Sequence, residues 1–102
     1  MRGWIGVDLD GTLAEYHGWQ PDGSIGKPVA LMLQWVKQWL EQGIEVRIVT
    51  ARVGRHPTNP DHLQFIQEQR ALIQEYCKEH LGVVLPITYE KGFGIVGEIT
   101  WL

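Results

Sequence analysis

The chain has little of what marks the more specialised protein classes. A single cysteine, Cys77, in 102 residues excludes an internal disulfide framework. No apolar run approaches the roughly 20 residues of a membrane span. Met1-Arg2-Gly3-Trp4 leads straight into a strand-like run with no signal-peptide pattern, so a cytoplasmic place and no membrane partner are expected. The formal net charge of −3 supplies no field that recruits nucleic acid or an anionic surface. Any attraction for phosphate must therefore come from a local basic group. Repeats, low-complexity tracts and linkers are missing too, which predicts one domain over residues 1–102. Aspartate is absent after Asp61.

What is present suits a small folded domain. The apolar fraction of 44% is ordinary, and a chain of this size buries roughly two-thirds of its unfolded surface. Residues 4–9 read as a short buried strand stopped by acidic residues. Residues 13–27 hold Gly18, Pro21, Gly23 and Gly26 without sustained period, as expected for an irregular flap. Pro28 is expected in the first turn of a helix. Met32, Trp35, Val36, Trp39 and Leu40 would line its apolar side, and Gly43 would stop it. Residues 44–50 read as a second strand. Asn59-Pro60-Asp61 is a helix start, and that helix should reach about Leu81 with Leu63, Ile66, Ile73, Tyr76, Cys77 and Leu81 on its apolar side. Residues 83–89, interrupted by Pro86, and 93–100 read as a third and a short fourth strand. Strands alternating with helices imply crossover connections and a parallel sheet. The expected fold class is α/β, a three-layer Rossmann-like arrangement with helices on both faces of a small sheet.

In such sheets ligands sit beyond the carboxyl ends of the strands. Three groups end up there: Asp8 with Asp10, Thr50 with Arg52, and Glu90 with Lys91. Two carboxylates one residue apart after a buried strand are costly without a cation or a proton between them. Gly11 permits a sharp turn, and Thr12 adds a hydroxyl and a backbone N–H. This set suits a divalent metal and a phosphoryl group held against a carboxylate nucleophile. Arg52, with Arg55 and His56 in the same loop, offers a planar fork that matches phosphate. Cys77 reads as an apolar helix-face residue, and the five tryptophans read as core or flap residues, with contact between Trp19 and a substrate the lesser reading.

Asp8-Leu9-Asp10-Gly11-Thr12 resembles the first motif of the haloacid dehalogenase superfamily of phosphohydrolases, Asp-x-Asp-Gly-Thr. Thr50 and Lys91 fall where that superfamily carries its second and third motifs. The resemblance is to small members without a large cap domain, and it implies roles residue by residue. Asp8 would attack phosphorus. Asp10 would protonate the leaving oxygen and then activate water. Thr50 would bond a phosphoryl oxygen, and Lys91 would neutralise its charge. Gly11, Thr12, Ala51 and Arg52 would bind substrate, and Asp8, Asp10 and Glu98 would hold Mg2+. The substrate would be a phosphorylated small molecule or a nucleic-acid end, the protein a monomer or homodimer.

The family's fourth motif, one or two aspartates after a further strand, is missing or altered. Thr100 and Trp101 fall near that place, and Glu98 is the last acid. Two expectations result. One is a magnesium-dependent phosphomonoesterase working through phospho-Asp8, weak or inactive unless Glu98 replaces the lost acid. The other is a degraded module that holds phosphate or metal without turnover. A phosphoacceptor domain of response-regulator type is disfavoured, because no aspartate ends the second or third strand.

Overall fold

A computed structural model describes residues 3–54 and 60–89, the side chains of residues 60 and 61 excepted. Three parallel strands, β1 (Trp4–Asp8), β2 (Glu45–Val49) and β3 (Ile87–Thr88), alternate with two helices, α1 (Ala30–Glu41) and α2 (Pro60–Leu81). This is the expected parallel α/β arrangement. β3 keeps only two residues of the expected third strand. Pro86 contributes its carbonyl, which accepts from Ile48 N–H, but has no N–H of its own to extend the ladder. The expected fourth strand lies outside the described residues.

The sheet order is β1-β2-β3. Two right-handed crossovers that step the same way along a sheet leave both helices on one face. The packing agrees. Ile5, Val7, Val46 and Ile48 share one side of the pleat and join Met32 and Val36 of α1 and Ile73, Tyr76 and Cys77 of α2 in a single core. The alternate positions, Trp4, Gly6, Asp8, Glu45, Arg47 and Val49, lie outside that core. On that second face the Arg47 guanidinium sits 4.5 Å from the Trp4 ring centroid. Among the described residues the molecule therefore has one layer of helices on one layer of strands, where the sequence reading expected helices on both faces.

Local differences have local causes. Helix α1 starts at Ala30, after an N-cap at Val29. Pro28 precedes it because residues 27–29 are already bonded to the acidic turn: Glu15 N–H donates to Lys27 O and Val29 N–H to Leu13 O, both at 2.8 Å. Trp35 and Leu63, expected on apolar faces, are exposed. The stripe that α2 packs on the core keeps the expected Ile66, Ile73, Tyr76, Cys77 and Leu81 and adds Gln69, at spacings of three and four. No helix among the described residues is long and apolar enough to cross a membrane.

Candidate functional site

The register pairs Asp8 with Val49 and Val49 with Thr88, so the acidic turn and Thr50 emerge side by side at one edge of the sheet. Leu9 points its fully buried side chain into the core, which sets Asp8 and Asp10 on either side of an apolar anchor. The turn then closes on itself. Leu13 N–H donates to Asp8 O at 3.1 Å and Ala14 N–H to Leu9 O at 2.9 Å. Gly11 makes this possible with a φ of +87°, a region that other L-residues enter only with strain. Thr12 is buried within the turn.

Thr50 is buried as well. Its N–H donates to Thr88 O at 2.9 Å, and its Oγ1 accepts from Arg52 N–H at 3.2 Å, capping a single 3-10 turn over Ala51–Val53. Accepting that bond leaves the hydroxyl's own hydrogen to donate. The strand-end threonine is thus a backbone cap through its side-chain oxygen.

Arg52 is the best-anchored side chain in the site, and its anchors are all protein. Nε donates to Asp10 Oδ2 and Nη2 to Asp10 Oδ1, both at 2.8 Å. The remaining N–H groups go to Gly23 O, to Gln69 Oε1 at 2.8 Å and to Ser24 O at 3.3 Å. These five contacts match the five donors of a guanidinium. The Arg52 side chain is 5% exposed and that of Asp10 21%. The sequence reading assigned Arg52 to substrate. In this arrangement no N–H is left for a phosphate, and the side chain staples the flap and α2 to the acidic turn.

That staple gives the flap its shape. Gly23 O and Ser24 O lie on Arg52, and Tyr76 O–H donates to Gly26 O at 3.0 Å. Burial pushes the Tyr76 hydroxyl from its ordinary 10.0 up to about 12. Sequence reasoning missed Gln69 and Tyr76 as flap anchors. The signal was a glutamine on the stripe of Ile66, Ile73 and Cys77, since a buried amide on an apolar stripe requires a partner.

Asp10, Thr50, Ala51, Arg52, Trp19 and Phe65 surround a cavity of about 310 Å3, small for a ligand pocket. Trp19 lies on the flap side with its ring centroid 4.9 Å from the Arg52 guanidinium carbon. Phe65 of α2 is 5.9 Å from it, centroid to centroid, with the ring planes 53° apart. Lys91, Glu98, Arg55 and His56 lie outside the described residues. Asp8 and Asp10 are the described members of the expected metal set, and no group of three or more His, Cys, Asp or Glu side chains suited to a metal ion occurs among the described residues. Cys77 is fully buried on α2, and burial raises its thiol to about 11, as for an inert core residue.

Compared with protein-family models, curated proteins and solved structures, the chain has no match.

Proposed function

We propose that this chain is a magnesium-dependent phosphomonoesterase of haloacid dehalogenase type. The observation that carries the reading is Asp8-Leu9-Asp10-Gly11-Thr12 at the carboxyl end of β1, one strand from the Thr50 hydroxyl and beside a cavity. An Asp8 oxygen attacks phosphorus while the bond to the leaving oxygen breaks, and Asp10 gives that oxygen a proton. Water then attacks phospho-Asp8, Asp10 takes its proton, and inorganic phosphate leaves. Thr50 O–H donates to a phosphoryl oxygen. With Arg52 held by the protein, charge neutralisation falls to Lys91 in this reading. The carboxylate of Asp8 and the backbone carbonyl of Asp10 are oxygen donors of the kind Mg2+ takes, with Glu98 as the third. When bound, the cation offsets phosphate charge next to the nucleophile. A cytoplasmic setting and a three-layer fold belong to the same reading, the latter requiring a cover on the Trp4–Arg47 face.

Both Asp10 oxygens accept from Arg52, so this carboxylate is engaged with its own protein instead of standing free for a leaving group. That pair favours a second reading, a module that holds phosphate without turnover. Phosphate release from an aryl phosphate with magnesium separates the two. The first reading expects hydrolysis that Asp8→Asn abolishes. Activity surviving Asp8→Asn rejects the mechanism, and magnesium-dependent phosphate binding by calorimetry without hydrolysis supports the second reading.

A further inference from the structure

We infer that the cavity beside the acidic turn selects phosphomonoesters whose leaving group carries a planar aromatic ring; the phosphate half rests on the phosphatase reading, the ring half on the cavity walls alone. Trp19 is 46% exposed, an unusual position for an indole, and it stands at the mouth of the site instead of in the core. Its placement is not loose. The Arg52 guanidinium lies over the ring and is itself held by Asp10, Gln69 and two flap carbonyls. A cation over an indole face fixes that face, and the anchored cation makes the ring a preset wall. Phe65 continues that wall from another element, its ring 5.9 Å from the indole with the planes 53° apart, and Ala51 and Thr50 line the same cavity.

The polar groups of this cavity point to the same class of ligand. Among the described residues that line the cavity Arg52 has its N–H groups occupied, so hydrogens to give remain on the Thr50 hydroxyl and the Trp19 indole nitrogen. Among the described lining residues a polyol leaving group would meet two donors and the Asp10 carboxylate, fewer partners than its hydroxyls need, at a cost in affinity. An aromatic ring needs none, gains from burying its faces, and prefers tilted or offset neighbours such as these. The phosphate of such a substrate would lie at Asp8 and Thr50 while its ring lies against the wall that Trp19 and Phe65 form.

Calorimetry on the intact chain with magnesium tests this, using naphthylmethylphosphonate and propylphosphonate, whose C–P bonds resist hydrolysis. The naphthyl compound should bind at least about tenfold tighter, the scale of one good stacking contact. Trp19→Ala and Phe65→Ala should each bring the ratio to within about threefold without weakening propylphosphonate. Equal affinities in the unaltered protein, a ratio kept in both variants, or no binding of either compound overturns the inference. Phosphate release from 1-naphthyl phosphate, followed in parallel, keeps the two claims apart. Selectivity without release retains the aromatic site and rejects the phosphatase, and release without selectivity does the reverse.

Discussion

At the scale of single residues, Arg52 decides the character of the site. A planar fork two residues past a strand end is a natural phosphate ligand, yet its partners here are a carboxylate, an amide and two backbone carbonyls of the protein itself. Removing one member of a buried pair leaves the other charge without compensation, at a cost of about 3 kcal/mol or more. Lysine cannot replace it, because one ammonium group reaches neither both Asp10 oxygens nor the flap carbonyls together. Arg52→Lys should therefore lower the melting temperature by at least about 10 °C. A fall of less than about 3 °C, followed by circular dichroism, would show that the five-donor staple contributes little.

Among the elements, the flap is the informative one. It has neither helix nor strand, and Arg52, Gln69, Tyr76 and two bridges hold it: Ala14 pairs with Asp10 on one side and Pro28 on the other. Its tightest point is Gly26, where a Cβ would stand 2.1 Å from Glu15 O. Backbone on both sides of that contact is bonded, Glu15 N–H to Lys27 O and Tyr76 O–H to Gly26 O, so the chain cannot shift cheaply. Gly26→Ala should cost more than about 2 kcal/mol. Gly43, at φ +78° after α1, has open space around it, and Gly43→Ala should cost only the strain of that conformation, about 1–2 kcal/mol. Urea titration ranks the two, and a larger loss at Gly43 would mean that the flap yields where the geometry says it is closed. Proteolysis within residues 15–27 should accelerate in the first variant and not in the second.

For the whole molecule, α2 carries two groups whose ionisation opposes folding. Burial raises the Cys77 thiol from 9.0 to about 11 and the Tyr76 hydroxyl from 10.0 to about 12. Both are neutral acids whose folded values lie above their unfolded ones. Their stabilising effect is complete below pH 9 and is lost as pH rises through 11 and then 12. Stability measured by urea unfolding should thus decline steadily above pH 9. Tyr76→Phe should flatten the limb between pH 10 and 12, while costing about 1 kcal/mol at neutral pH through the lost bond to Gly26 O. An unchanged slope in that variant would place the alkaline sensitivity elsewhere.

The sequence by itself determined the elements and where the chemistry falls along the chain. Periodicity and glycine stops located β1, β2, α1 and α2 nearly to the residue, because each signal is local: a pleat alternates, a helix repeats, and a positive φ calls for glycine. The acidic turn was legible for the same reason, since Asp8 to Thr12 are neighbours in the chain. Tertiary structure alone decided what those residues touch. Arg52 meets Asp10 across 42 positions and Gln69 across 17, and no pattern in either segment announces the other. The placement of both helices against Ile5, Val7, Val46 and Ile48 followed from the sheet order, which periodicity does not encode. Whether a basic side chain near a strand end faces a ligand or its own protein depends on which carboxylate folding brings within reach.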